Sequence, residues 1–407
     1  MVGLDAAGSV PHRLIAEKIA SDGLRGRPIN EYILHIRTER CPDTVGRFRR
    51  GRRELRVDPA HFRQSWPRPS TTRPIAIIGA GGIVNDAHLP AYRKAGFDVA
   101  GVFDIDRAKA DTLAAKWNLN VFDSPEAAAQ TDGAVFDLAI PPGAHHGVLE
   151  RLPAGSTVLI QKPTGSNLDE ATAILRLARA RKLTAAVNFQ LRFSPMMLAV
   201  ADAVRRGVLG RLVDVEVHLN LLTPWHLFPF LKGAERVEIA VHSIHYLDLI
   251  RAFLGNPVGV HARTTGHPST DLAQTRTSAI LDYGGDIRCT LSINHNHGFG
   301  RKFQDSSMPL EGDRGAAMVK LGLLLNYPEG EPDELWINGG DEWTEVPLAG
   351  GWFPDGLIGT MSNLQRFAAG EDETLHTSVE DARHTMTLAE ACFRSSATPA
   401  TPLRISP

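Results

Sequence analysis

The segment Gly79-Ala80-Gly81-Gly82-Ile83-Val84 constrains this chain more than any other part of it. It follows the short apolar run Pro74-Ile75-Ala76-Ile77-Ile78 and opens a helix-like stretch that reaches Lys94. An apolar run without alternation is what a strand buried on both faces requires. Glycines after such a strand let the backbone turn tightly and let a pyrophosphate approach the loop amides. The helix that follows offers unpaired N–H groups and partial positive charge to the same anion. A bare pair of glycines means little; its place between strand and helix gives it meaning. Gly79, Gly81, Gly82 and Ile83 are therefore candidate cofactor contacts. Val84 stands where a third small residue is usual, so helix and strand are expected to pack slightly apart.

The rhythm of the following residues supports that reading. Val99–Phe103, a short Val121-Phe122 piece, Val135–Ile140, Thr157–Ile160 and Thr184–Val187 read as strands. Helical stretches separate most of them, including Arg107–Trp117 and a stretch to Arg181 capped by Asn167. Strand and helix alternating at this spacing mean βαβ units and a parallel sheet. Asp104 closes the second strand. A carboxylate there can accept both ribose hydroxyls of an adenosine and would repel a 2′-phosphate, so NAD is expected ahead of NADP. Arg107 lies close enough to soften that preference, and Asp106 is available to cap the next helix.

After about Gly210 the period becomes two. Val213–Leu219, Val258–Arg263, Thr277–Asp282, Ile287–Asn294 and Ala317–Leu321 alternate as strands with one covered face do. A helix over about 237–254 precedes most of them, and Met361–Phe393 reads as helices. The fold expected is α/β, a dinucleotide-binding domain followed by an α/β domain with a large open, mostly antiparallel sheet.

Charge separates a third region. Residues 1–73 carry fifteen basic and eight acidic side chains, a net of +7, whereas the remaining residues sum to −9. The run Arg47-Phe48-Arg49-Arg50-Gly51-Arg52-Arg53 is the densest part. This stretch reads as a basic N-terminal extension, poorly ordered, with Ser65–Pro74 as linker. The expected organisation is 1–73 extension, 74–195 dinucleotide-binding domain and 196–407 substrate and oligomerisation domain, whose last helices fold back on the first domain. The whole chain, at −2, is no basic nucleic-acid binder. It has no apolar stretch of about 18 residues and no apolar leader at its start, so a soluble cytoplasmic protein is expected. The three cysteines, Cys41, Cys289 and Cys392, are too scattered for a disulfide framework or a thiolate metal site.

Open parallel sheets bind ligands beyond the carboxyl ends of their strands. Those ends carry Pro141-Pro142-Gly143-Ala144-His145-His146, Gln161-Lys162-Pro163 and Asn188-Phe189-Gln190-Leu191-Arg192. With the glycine turn and His88-Leu89-Pro90, they resemble the glucose–fructose oxidoreductase / inositol dehydrogenase / rhizopine-catabolism (Gfo/Idh/MocA) family, from about Pro74 to Ser395. The resemblance implies a sugar, polyol or cyclitol oxidoreductase using NAD or NADP, and a homodimer or homotetramer joined through the open sheet. It places Lys162, in the position of the lysine of a Glu-Lys-Pro motif, beside the nicotinamide and the reacting hydroxyl. An ammonium there would stabilise a developing alkoxide. Pro141, Pro142, His146, Gln161 and Arg192 join the cofactor candidates, and Asn188 the substrate candidates.

His242-Ser243-Ile244-His245-Tyr246-Leu247-Asp248 resembles the second active-site element of the family. His245 matches its acid–base histidine. Val241 stands where that element carries an aspartate, and Gln161 stands where the glutamate is usual. His242 and Trp225 are candidate substrate contacts. A metal held by His242, His245 and Asp248 with His295 or His297 is the weaker reading, because Asp248 points off the histidine face; no metal is expected. The function expected is hydride transfer between NAD and a secondary alcohol or ketone of a sugar, sugar acid or cyclitol. A cofactor-recycling epimerase or eliminase, and a non-catalytic dinucleotide-binding regulator, are the alternatives.

Overall fold

The structure, a computed structural model, describes residues 61–228 and 231–403. The basic run at 47–53, the short helical stretch 14–20 and Cys41 lie outside the described residues.

Five short strands, β1 (Ile75–Ile78), β2 (Val99–Phe103), β3 (Val135–Leu138), β4 (Thr157–Ile160) and β5 (Thr184–Val187), form a parallel sheet. Their order is β2-β1-β3-β4-β5. β1, β3 and β4 are buried along their whole length, and all their residues but Asp137 and Thr157 are apolar. The connections carry α1 (Leu89–Ala95), α2 (Arg107–Trp117), α3 (Pro125–Ala128), α4 (His145–Arg151) and α5 (Leu168–Ala180). Asp106 caps α2 by accepting from the Lys109 amide, and Asn167 caps α5 by accepting from the Glu170 amide. Val121-Phe122 is not a strand: it makes a single bridge, Val121 to Val102. The strand order reverses between β1 and β3, so the crevice for a ligand opens at the ends of those two strands.

The second sheet has eight strands: β6 (Leu212–Asn220), β7 (Gly259–Thr265), β8 (Arg276–Asp282), β9 (Arg288–Asn294), β10 (Asp305–Gly312), β11 (Ala316–Lys320), β12 (Glu334–Asn338) and β13 (Trp343–Glu345). Their order is β13-β12-β11-β10-β6-β9-β8-β7, antiparallel except for the β6–β9 pair. One face buries Val215, Val217, Leu291, Ile293, Met308 and Leu310 against Met196, Val200, Leu249, Ile250 and Phe253 of α6 (Pro195–Arg205) and α7 (Ile244–Leu254). The sequence pattern does not reveal β10, because Pro309 argues against a central strand. The β10–β6 register keeps step across Pro309, from Ser307–His218 to Leu310–Val215, and the pairing is missing between them, where the proline supplies no N–H.

The two C-terminal helices, α8 (Gly356–Ala368) and α9 (Val379–Ala397), return to the parallel sheet. Met361 and Leu364 of α8 pack with Ile75 and Leu159 on one face, and Val379, Ala382 and Met386 of α9 pack with Ala76 and Ile78 on the other. The end of α9 also covers the edge strand β7, where the Ser395 and Ser396 hydroxyls accept from the Ala262 and Thr264 amides.

Residues 61–73, read from sequence as the end of a poorly ordered extension and its linker, are a strap held at many points. Phe62 is buried in the core of the second sheet. The Trp66 indole donates to Asp372 and stands edge-on to Phe193 and His376. Arg73 donates to the Gly133 carbonyl and the Thr157 hydroxyl, and its own amide donates to Gln365. An aromatic ring removed from a packed core costs about 3 kcal/mol. Phe62→Ala is therefore expected to lower the urea midpoint of unfolding by a corresponding amount, whereas a loose tail would leave it unchanged.

Candidate active site

The first glycine of the loop is dictated by geometry. Gly79 has φ +113°, and a Cβ there would lie 2.2 Å from the Ala139 carbonyl oxygen at the end of β3. This close approach of the two strand ends is the switch point itself. A Cβ at position 81 would meet nothing within 4 Å, and one at position 82 would meet only the Asp86 carboxylate at 3.8 Å. Gly81 and Gly82 thus leave an open, exposed cradle at the start of a helix that runs without a break from Gly82 to Ala95. Its first turns are π-helical over Val84–His88, a distortion often found at functional sites. Ile83 is half-buried at the same entrance.

Asp104 grips the loop. One carboxylate oxygen accepts from the Ala80 amide at 2.7 Å and the other from the Asp106 amide at 2.8 Å. A carboxylate has about four acceptor positions, so capacity remains for ribose hydroxyls. Arg107 is turned away onto Asp111 and Asp123, at 2.8 Å each. Pro141 lies exposed and Pro142 half-buried beyond β3. A dinucleotide therefore fits the residues present: an empty cradle of backbone, a helix start and a ribose-sized acceptor stand in one crevice.

His145 and His146 have different fates. The His145 ring is buried between the Ile140 and Thr164 carbonyls, at 3.1 and 3.0 Å, and staples the ends of β3 and β4 together. His146 faces outward beside Glu150, at 3.6 Å. Arg192 is not brought to the cofactor crevice. It donates to Asp248, Asp381 and the His376 carbonyl in a buried cluster that Arg251 completes. Asp248, pinned there and bonded to Thr385, is unavailable to any site on the histidine face of α7. Among the described residues no group of three or more His, Cys, Asp or Glu could hold a metal ion.

Lys162 follows β4, and its ammonium donates to the Val241 carbonyl at 2.8 Å. That carbonyl belongs to a second π-helical turn, Ile239–Ser243, which runs into α7. Burial alone pulls the Lys162 amine down to about 8. His245 and His242 are both held well below the ordinary histidine range, by burial first and then by neighbouring positive charge: Lys162 for His245; His295, Lys162 and His245 for His242. The three candidate residues are thus one constellation. Asn188, at the end of β5, is buried with its side-chain oxygen unpartnered among the described residues.

Behind Lys162 lies a relay that sequence reading missed. Asp137 is a buried carboxylate inside the apolar run of β3. It accepts from Tyr92 Oη at 2.7 Å and from His88 Nδ1 at 2.6 Å. Gln161 Oε1 accepts from the Lys162 amide at 2.9 Å, which orients its NH₂ toward His88 Nε2 at 3.2 Å. A carboxylate only accepts and an amide nitrogen only donates, so His88 is neutral with its proton on Nδ1. A charged residue in the middle of a buried strand was the available signal.

Above the constellation, Trp225 stands edge-on to His242 and His295, with centroids 5.2 and 5.4 Å apart. His242 and His295 lie 4.2 Å apart. His295 Nδ1 and the Thr223 hydroxyl are 2.6 Å apart, and His295 Nε2 faces Glu238 at 3.4 Å. Glu238 also accepts from Ser243.

Residues 73–189 match the family described as "Oxidoreductase family, NAD-binding Rossmann fold", and residues 197–318 match the "GFO/IDH/MocA C-terminal domain". The chain is 35% identical over 123 residues to the protein YceM of Salmonella typhimurium, a match spanning 30% of this chain and 40% of that one. It is 24% identical to inositol 2-dehydrogenase of Rhizobium meliloti, over 78% of this chain and 95% of the relative. Among solved structures, an oxidoreductase from Agrobacterium radiobacter in complex with NAD+, L-tartaric acid and magnesium superposes with a TM-score of 0.66 at 20% identity, covering 80% of this chain and 97% of that one. At that identity the likeness is one of fold.

The two glycines at 79 and 81 are expected to separate stability from binding. Gly79→Ala, strained and overlapping Ala139, should lower the melting temperature by several degrees, about 1–3 kcal/mol. Gly81→Ala should leave the melting curve within about 0.5 kcal/mol of the parent. Its methyl group should nonetheless weaken NAD binding in a calorimetric titration.

Proposed function

The chain belongs to the GFO/IDH/MocA oxidoreductase family and carries its NAD-binding Rossmann domain; from that premise we propose that it is an NAD-dependent dehydrogenase acting on a secondary alcohol of a sugar, sugar acid or cyclitol, or on the matching ketone. The observation that carries the proposal is the buried Lys162 amine, lowered to about 8, with His245 beside it and the glycine cradle two strands away. Kinship with inositol 2-dehydrogenase of Rhizobium meliloti and D-apiose dehydrogenase of Rhizobium rhizogenes supports the class of substrate.

When bound, the nicotinamide supplies the hydride acceptor. The protein handles the proton and the charge. Lys162, protonated at neutral pH, donates a hydrogen bond to the hydroxyl oxygen as negative charge develops on it. His245, neutral because burial and Lys162 disfavour its charged form, takes the hydroxyl proton. The alcohol carbon loses a hydride and its oxygen a proton, giving the ketone, reduced cofactor and one proton. Asp104 favours a free ribose, and the pairing of Arg107 with Asp111 and Asp123 removes the cation that a 2′-phosphate would need. The outer face of the eight-stranded sheet, where His218 and Ile280 are exposed, is the surface we assign to self-association.

The test is NADH formation across a panel of sugars, sugar acids and inositols, with Lys162→Met as the blank. The variant is expected to lose about 10²–10³ in kcat, the scale for removing one charge-stabilising donor. Turnover with NADP better than with NAD would overturn the role of Asp104.

The pH profile gives a second check. The ammonium form of Lys162 prevails below about 8, so kcat should fall as pH rises through that value. Gln161→Glu adds a carboxylate that favours the ammonium and should move the alkaline limb upward. An unmoved limb would show that position 161 does not set the charge of the amine.

A further inference from the structure

The polar groups around Lys162 are out of balance. Its ammonium bonds a backbone carbonyl, and the residues next to it that might carry a carboxylate are the neutral Gln161 and the apolar Val241. The titratable groups facing it are His242 and His245 on the same π turn and helix, and, through Gln161, His88, whose partner Asp137 also binds Tyr92. Glu238 turns one oxygen to Ser243 and His295, and its second oxygen is buried without a partner among the described residues. The contrast with Arg192 is direct: that buried cation has Asp248 and Asp381 against it.

The wall beside Lys162 also holds buried nitrogens without partners. Trp225 Nε1, His242 Nδ1 and His245 Nδ1 make no hydrogen bond among the described residues. The indole nitrogen can only donate, and a buried donor left unpaired costs stability until an acceptor arrives. Ring contacts gather Trp225, His242 and His295 into one patch.

Resting on the dehydrogenase reading, we propose that the substrate is a sugar acid, whose carboxylate sits against Trp225 Nε1 and His242 while the hydroxyl to be oxidised lies between Lys162 and His245. The Lys162 ammonium has a carbonyl and no carboxylate hydrogen-bonded to it, and a substrate carboxylate brings a negative charge to its side of the cleft. A phosphate would bring up to two, and among the described residues the patch offers no arginine fork, the geometry best matched to phosphate. The carboxylate's acceptor positions suit the unpartnered Trp225 N–H, and its charge replaces the counter-ion that positions 161 and 241 lack.

The experiment is calorimetric titration of the NAD-loaded protein with D-galacturonate and D-gluconate, against D-galactose, myo-inositol and D-glucose 6-phosphate, run beside NADH absorbance for each probe. The acids are expected to bind at least about tenfold more tightly than the neutral probes, the scale of one hydrogen bond to a charged group. Trp225→Phe keeps an aromatic ring and removes the N–H; it should erase about tenfold of the galacturonate affinity and leave galactose affinity unchanged. Val241→Asp, which supplies an internal counter-ion, should weaken the acids by a similar factor and spare myo-inositol. Equal or tighter binding of the neutral sugars or of glucose 6-phosphate, or no binding of either acid, overturns the proposal even where neutral sugars are oxidised. Tight binding of the acids without NADH from any probe would instead uphold the anion subsite and overturn the dehydrogenase reading.

Discussion

The hydrogen bond from Lys162 Nζ to the Val241 carbonyl is the joint on which the rest of the site depends. It ties the end of β4 in the parallel sheet to the π turn that introduces α7, and so fixes the dinucleotide-binding half against the half that brings the histidines. A carbonyl is a neutral acceptor. It positions the amine without stabilising its charge as a carboxylate would, and burial then lowers the amine to about 8. Position and chemistry therefore come from one choice of partner. A carboxylate in place of the carbonyl would hold the amine equally well and leave it permanently charged.

The molecule treats its other buried charges differently. Arg192 and Arg251 meet Asp248 and Asp381 in a cluster that joins the turn after β5 to α7 and α9. Removing one partner from such a cluster costs roughly 3–5 kcal/mol, because the remaining charge is stranded away from water. Asp137 is held by two hydrogen-bond donors, Tyr92 and His88, rather than by a countercharge. Both arrangements give rigidity, and they stand directly behind the reactive groups. The unbalanced amine sits at the cleft, where a ligand can complete it.

Much of this was legible in the sequence, for reasons that can be named. β1, β3 and β4 are largely apolar runs because helices cover both faces, and the glycine turn advertises itself because glycine alone fits at 79 against Ala139. Lys162 and His245 stand at positions that topology makes important. What was hidden depends on long-range packing. Arg192 follows β5 as a cofactor contact might, yet Asp248 and Asp381, distant in sequence, claim it. Residues 61–73 lack periodicity because a strap needs only anchor points, and Phe62, Trp66 and Arg73 are those anchors. β10 was hidden by Pro309, a residue that supplies no N–H to a ladder and at which the pairing with β6 lapses. Neither the stacking of His242 on His295 nor the link from Gln161 to His88 has any local signature.

That link explains why an amide suits position 161. His88 Nδ1 must donate to Asp137, since a carboxylate can only accept, and this leaves Nε2 as an acceptor. A glutamine side chain offers it a donor while its oxygen takes the Lys162 amide. An ionised glutamate would set two acceptors facing each other unless His88 took up a second proton. The neutral residue at 161 is thus coupled to a neutral imidazole at 88, and through it to a carboxylate buried in the central strand. The charge state around Lys162 is set from inside the parallel sheet as well as from the cleft. A change at Asp137 or His88 would reach the amine without either side chain touching a ligand.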